Sequence, residues 1–297
     1  MDELDFYRQH SPLTDPGRHR DLIGAAPSDL VAMCELIQDA ICHRDETKWR
    51  FGFELPEPRR AEGDTRWTHA ILDRLGDLRH RPPAQRFAGT CRDFCVLACS
   101  MLREAAVPAR MRAGFAGYFQ PGFFVDHWVV EFWHETGQWR LLDAQVAGDR
   151  GDYGVAIDPL DVPRDAFLVG GQAWQECRTG RRDPDDFGVV RGQIVGMWEV
   201  QGNVVRDLAA LNRLETLPWD NWGLIPKHYD QLDAEEVGLL DRAAAVSATG
   251  GPVQDAIELY WSDERLQVPA DLIGRPATAQ GRDEPATSEA RDEPATS

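Results

Sequence analysis

The stretch GTCRDFCVLACSMLREAAVPAR, Gly89 to Arg110, constrains this chain more than any other. Cys91, Cys95 and Cys99 stand four residues apart, a spacing that stacks side chains along one face of a helix. From Met111 to Gln145 the composition changes to aromatic and β-branched residues, with turn signals in GYFQPGFF and HETGQ. A helix bearing three thiols therefore feeds directly into strands, and what the thiols do decides most of what the sequence can say about function.

Metal ligation is a poor fit. Zinc sites use short ligand loops in two separated pairs, and no second Cys or His pair stands at such spacing. Cluster-binding radical enzymes place their last cysteine after two intervening residues, whereas three intervene here. No metal or cofactor is expected. Cys95 and Cys99 share the apolar stripe with Leu102 and read as small buried hydrophobes. Cys34 and Cys42 read as packing or boundary residues. Cys91 differs, because Gly89 and Thr90 place it in the first helical turn. There the free N–H groups and the helix dipole favour a thiolate and could hold an oxyanion.

DHWVVEFWHETGQWRLLD, Asp126 to Asp143, reads as a β-hairpin. A turn centred on Glu135 puts Val129 opposite Leu141 and His127 opposite Asp143, both on one face of the sheet. A carboxylate beside an imidazole fixes its tautomer and stabilises the imidazolium. Read singly, His127 could be a satisfied core histidine and Asp143 a turn residue. Asp126 reads as solvated at the strand start.

Taken together, these residues resemble the transglutaminase-like superfamily, relatives of the papain-type cysteine enzymes. The resemblance rests on Gly89-Thr90-Cys91, Val107-Pro108-Ala109-Arg110, His127 with Glu131, and Trp139 with Asp143, over residues 86–146. It departs at Cys95, where Ala or Ser is common, at Ala106 in place of Gly, and at Trp128, one residue earlier than usual. Flanking stretches such as DPLDVPRDAFLVGGQAW and LPWDNWGL resemble bacterial transglutaminase-like proteins of similar length. The resemblance implies an α+β fold with a papain-like core: the cysteine helix packed on an antiparallel sheet, with helical N-terminal and mixed C-terminal elaborations. It implies a Cys91–His127–Asp143 triad and acyl transfer through an acyl-thioester. Amide formation, amide hydrolysis and a catalytically silent binding module all stay open. The acyl substrate could be a small molecule, a peptide or a group on a carrier protein.

The remaining chain frames this core. Residues 1–26 read as an extended arm. A helical pattern follows Ser28, ELPEPRRAEGD reads as a loop, and WTHAILDRLGDL as a helix. Together 1–85 form a helical N-terminal region, 86–150 the core, and 151–272 a C-terminal extension. Within 151–225 we expect loops, short strands and one helix near 204–214, and Asp233 with Glu236 suggests a capping box opening another helix. RDEPATS occurs at 282–288 and again at 291–297, so 273–297 reads as a disordered acidic tail. In LPWDNWGL, Trp219, Asn221 and Trp222 are candidates for a substrate-pocket mouth, against the plainer reading as packing residues. Trp174 and Trp198 read as core. A net charge of −18 argues against nucleic-acid and anionic-membrane partners. The N-terminus lacks an apolar segment behind a basic start, and six cysteines do not form a disulfide framework, so a cytoplasmic location is expected.

Overall fold

The computed structural model describes residues 2–148 and 153–274. The repeat-bearing tail lies, from residue 275 onward, outside the described residues. Helix α1 (Leu30–Ala40) starts at Asp29, whose side chain accepts from Ala32 N. It runs straight into β1 (Ile41–His43), which pairs in parallel with β2 (Phe87–Gly89) so that His43 aligns with Gly89. Two residues beyond Gly89, helix α2 (Cys91–Glu104) begins.

The main sheet holds β3 (Ala109–Gln120), β4 (Phe123–His134), β5 (Gln138–Leu142), β6 (Phe167–Val169), β7 (Phe187–Val190) and the short β8 (Ile194–Val195), in the order β6-β3-β4-β7-β8 with β5 also against β4. Strand β4 is its axis. One edge pairs with β3. The other meets β5 over Val130–His134 and β7 over Phe124–Val125, so, among the described residues, 126–129 have no strand there. The β4–β7 pairing is parallel, so the sheet is mixed rather than purely antiparallel.

The two faces differ in chemistry. On one, Ala109, Met111 and Ala113 of β3 and Trp128, Val130 and Phe132 of β4 pack against Ile37 of α1 and Cys95, Cys99 and Leu102 of α2. Cross-strand pairing explains the grouping, since Ala109 faces Phe132, Met111 faces Val130 and Ala113 faces Trp128. The other face carries buried charge. Arg110 Nε lies 2.7 Å and Arg112 Nη1 2.8 Å from Glu131 Oε2, and Arg112 makes a bidentate pair with Asp207 at 3.0 and 2.8 Å. Burial alone would raise the Glu131 carboxyl, but the guanidiniums of Arg110, Arg112 and Arg164 hold it well below the usual carboxylate range. Asp207 belongs to α4 (Met197–Leu211), which with α3 (Gly170–Arg178), α5 (Ala234–Thr249) and α6 (Val253–Ser262) encloses a second apolar cluster around Trp174, Val204, Leu208 and Leu240. The Asp233–Glu236 capping box opens α5.

Several local expectations need correction. The N-terminal arm is largely helical, over Glu3–Arg8 and Arg20–Gly24, and is pinned by the buried Tyr7, whose hydroxyl donates to Leu211 O. ELPEPRRAEGD contains a helical turn, Glu57–Arg60, and a 3-10 turn, Ala61–Asp64. Helix α3 was not expected, and α4 starts at Met197, well before residue 204. Ala106, where a glycine was missed, adopts the left-handed conformation itself at φ 60°, letting Val107 N reach back to Leu102 O at 2.8 Å. Among the described residues no helix is long and apolar enough to cross a membrane.

Two stability predictions follow from these contacts. Ala106→Gly should raise unfolding free energy by about 1 kcal/mol, because glycine relieves the left-handed strain. Glu131→Ala should cost about 3–5 kcal/mol, because it strands buried guanidiniums. Urea denaturation of both variants beside the unaltered protein reads the two effects, and a neutral Glu131→Ala would disprove the role given to this network.

Candidate active site

The thiol is placed by how α2 starts. Thr90 is the extended N-cap, and Thr90 N donates to Asp93 Oδ2 at 2.8 Å in a capping box. Gly89 makes room for this, since a Cβ there would lie 2.9 Å from Asp93 Oδ2. Cys91 is thus the first helical residue, where backbone N–H groups have no intrahelical acceptor.

The imidazole comes from the open stretch of β4. His127 pairs with Gly114 of β3 and has no strand on its other side. The hairpin register differs from a turn centred on Glu135: Val130 faces Leu142 and His134 faces Gln138, so each partner stands two residues further along. Asp143 therefore lies just past the end of β5 rather than opposite His127. A shift of two keeps side-chain parity, and Asp143 Oδ2 still reaches His127 Nε2 at 2.9 Å. Tyr118 Oη donates to the same carboxylate oxygen at 2.6 Å, and Gln145 N donates to the other at 3.0 Å. The Phe119 ring meets the imidazole edge-on, with centroids 5.1 Å apart. With Nε2 on Asp143, Nδ1 is the nitrogen left for the thiol.

His127 and His43 both act on Cys91 and favour its charged form. Burial would raise the Cys91 thiol, yet these two histidines bring it below the ordinary thiol value. Burial would lower His127, but Asp143 and then Cys91 push it up to about 10. Both directions favour a thiolate–imidazolium pair. His43 is the site residue that sequence reading missed. Burial would lower it too, but Cys91 and the carboxylates of Glu46 and Asp45 raise it. Its Nδ1 accepts from Asp45 N at 3.3 Å, which leaves Nε2 as the nitrogen that carries a proton. The only sequence signal was a histidine ending a short apolar run 48 positions upstream of Cys91. Cys95 and Cys99 are fully buried, and burial raises both thiols, Cys99 to about 12. Cys95 Sγ lies 3.1 Å from Trp128 O and donates to it. All six cysteines are free, and among the described residues no group of three or more His, Cys, Asp or Glu is placed to hold a metal ion.

Cys91, His127 and His43 open onto a cavity of about 940 Å³. Phe119, Trp49, Trp198, Trp219, Val189 and Val190 give it apolar walls, and Asn221 also lines it. Trp222 does not. It is buried in the helical cluster, its indole directed at Leu266 O. Trp198, expected in the core, is 41% exposed and faces the cavity instead. Asp126 is not freely solvated: it lines the cavity and accepts from Asn203 Nδ2 at 2.6 Å.

Residues 65–144 match the family model of the transglutaminase-like superfamily, a segment that runs through β2, α2, β3, β4 and β5 and ends one residue past Asp143. Residues 65–144 are thus similar to a transglutaminase-like core. Its helix-start cysteine with a strand histidine and a carboxylate is the arrangement of cysteine-based catalysis. Among solved structures, a Cytophaga hutchinsonii protein assigned provisionally as a cysteine protease is similar at 16% identity and a TM-score of 0.35, over 57% of this chain and 46% of that one. The match thus spans about half of that protein's length. Comparison with curated proteins gave no match.

The thiolate–imidazolium pair has a chemical signature. Iodoacetamide at neutral pH should label Cys91 ahead of the other five cysteines, with a rate that levels off below the ordinary thiol range. His43→Ala should shift this profile to higher pH, because one of the two imidazoles that favour the thiolate is lost. Peptide mapping against pH checks both, and an unshifted profile in His43→Ala would remove His43 from the site.

Proposed function

We propose that this protein is a cysteine-dependent acyltransferase that forms an amide bond on a restricted substrate through an acyl-thioester on Cys91. The observation that carries this is Cys91 and His127 on the wall of one large, mostly apolar cavity, with Asp143 Oδ2 2.9 Å from His127 Nε2. The Cys91 thiolate adds to the donor carbonyl, and the resulting oxyanion sits by the free N–H groups at the start of α2. His127 Nδ1 gives its proton to the leaving group as the C–X bond breaks, leaving an acyl-thioester and a neutral imidazole. An acceptor amine then adds to the thioester carbon. Its proton passes to His127, and the thiolate leaves beside the regenerated imidazolium. Asp143 and Tyr118 hold the ring for both transfers.

An acyl thioester, free or on a carrier protein as in natural-product assembly, suits this chemistry as donor, since sulfur exchanges for sulfur. Restriction of the acceptor is supported by burial: Cys91 and His127 are 8% and 3% exposed and are reached through the walled cavity. Water as acceptor would make the same site an amidase or protease.

Intact-mass measurement after incubation with simple acyl thioesters and amides should show one acyl adduct, located on Cys91. Cys91→Ala should abolish turnover with the fold intact. His127→Ala should cost roughly 10⁴-fold or more in kcat, and Asp143→Asn about 10²–10⁴-fold. The kcat/KM profile should fall on the alkaline side near pH 10, as the imidazolium loses its proton. Robust amine incorporation into arbitrary proteins would defeat the restricted-acceptor reading. No adduct and no turnover with any donor would favour a silent binding module.

A further inference from the structure

The cavity has a second polar pole that the triad does not use. Asp126, Glu199 and Arg206 all line it. Glu199 stands in the first turn of α4, is 7% exposed, and its carboxyl makes no hydrogen bond or ion pair among the described residues. Arg206, one side of the same helix further on, is 5% exposed and is used just once, Nη2 donating to Asp220 O at 3.2 Å. Among the described residues its Nη1 has no hydrogen-bond partner and no carboxylate lies in ion-pair range, although Asp126, Glu199 and Asp220 all act on it electrostatically. Asp220 is already engaged by Arg66, with Nη2 2.8 Å from Oδ1. Gly202 supplies the room the guanidinium occupies, since a Cβ there would fall 2.5 Å from Arg206 Nη1. A glycine in mid-helix costs stability, and a buried guanidinium left mostly unpaired costs more. Both are understandable if a ligand completes the pole.

The pole shares a cavity with the chemistry, because Asp126 and His127 both line it. A ligand with only a carboxylate would meet Asp126 and Glu199, and one with only an ammonium would meet Arg206. A head carrying both signs satisfies both. We propose that Asp126, Glu199 and Arg206 bind the head of an α-amino acid acceptor with an apolar side chain, its ammonium on the two carboxylates and its carboxylate on Arg206. The side chain then lies along Trp198, Phe119, Val189 and Val190. The role as acceptor rests on the acyl-transfer reading above; the binding does not. In the transfer step the bound ammonium gives one proton to Glu199, whose carboxyl burial and the nearby Asp126 raise to about 7. The freed lone pair forms the C–N bond at the thioester carbon, the nitrogen passes its second proton to neutral His127, and the C–S bond breaks to release the Cys91 thiolate. The protonated Glu199 returns its proton to solvent.

Calorimetric titration of the Cys91→Ala protein tests binding without turnover. L-Phenylalanine and L-leucine are the probes, with phenethylamine and 3-phenylpropionate as single-charge analogues. At least one amino acid should bind, and each analogue should bind about tenfold or more weakly than phenylalanine, the usual loss for a charge-assisted hydrogen bond. Glu199→Gln should weaken amino-acid binding by about tenfold, and Gly202→Ala should do the same by displacing the guanidinium. If Arg206→Met fails to fold, the analogue series still reads the carboxylate contact on intact Arg206. Phenethylamine binding as tightly as phenylalanine would reduce the pole to a plain amine site and overturn the proposal. So would an absence of binding by both amino acids at millimolar concentration. Because the readout needs no thiol, failure of the acyl-enzyme reading leaves these results standing, and an acyl adduct on the intact protein without amino-acid binding would sink this inference alone.

Discussion

Residues 126–129 of β4 lack a strand on one edge, and the rest of the site depends on that gap. A sheet edge with no strand leaves backbone carbonyls to satisfy and lets another element approach. Here β5 stops opposite Val130 and β7 reaches no further than Val125. The gap admits α2, and the Trp128 carbonyl accepts from the thiol of Cys95. That contact explains why a cysteine serves at position 95: a small apolar side chain with one weak donor fills the space and meets a carbonyl. The same helix, one turn earlier, brings Cys91 to His127. Were β5 or β7 longer by a few residues, the strand would be fully paired and the helix could not seat its thiol there.

Three cysteines on one helix show how position alone divides a residue type. Cys95 and Cys99 lie inside the apolar layer, where a thiolate would be unsolvated, and burial keeps them protonated. Cys91 is almost as buried but sits at the helix start, where two imidazoles favour the charged form. The buried Arg110–Glu131–Arg112–Asp207 network applies the same principle to the frame. Ions removed from water persist because each has a partner, and in doing so they fasten the sheet to α4. Arg110 and Glu131, two positions that carried the resemblance to a known family, thus act as frame rather than as chemistry.

The core was legible because its signals are local. Spacing of four, a helix-start signature and a hairpin turn drew attention to Cys91, His127 and Asp143, and the family resemblance joined them into a triad; Cys91 and His127 line one cavity, and Asp143 reaches His127. The assumed register was off by two residues, and the period of a strand forgave it. Non-local features were not legible. Helix α3 opens with Gly170 and Gly171, which read as loop residues. Their real role is to let backbones touch, since a Cβ on Gly170 would lie 2.3 Å from Asn203 O and one on Gly171 2.2 Å from Ala244 O. His43 meets Cys91 only because β1 pairs with β2 across a long stretch of intervening chain. Trp198 and Trp222 exchange their expected places for the same reason: amphipathic spacing says which residues are apolar, not which wall of which cavity they face.

The family match stops at residue 144, and that boundary separates two kinds of work. Inside it lie Cys91, His127 and Asp143, together with the strands that hold them. Outside it lie His43, Trp49, Val189, Val190, Trp198, Glu199, Arg206, Trp219 and Asn221, most of the cavity wall. A core that fixes only the order of thiol, imidazole and carboxylate sets a reaction type and leaves the substrate undetermined. The choice of substrate then falls to elements that pack on the core from elsewhere in the chain: β1 from one side, α4 and the loop after it from the other. Helix α4 is the more constrained of these. It must offer Asp207 to Arg112 through its middle, fill the helical cluster with Val204 and Leu208, and present Glu199 and Arg206 to the cavity. The ion pair that fastens α4 to the sheet therefore also sets how far Glu199 and Arg206 stand from His127, so the frame's electrostatics and the cavity's selectivity are linked through one helix.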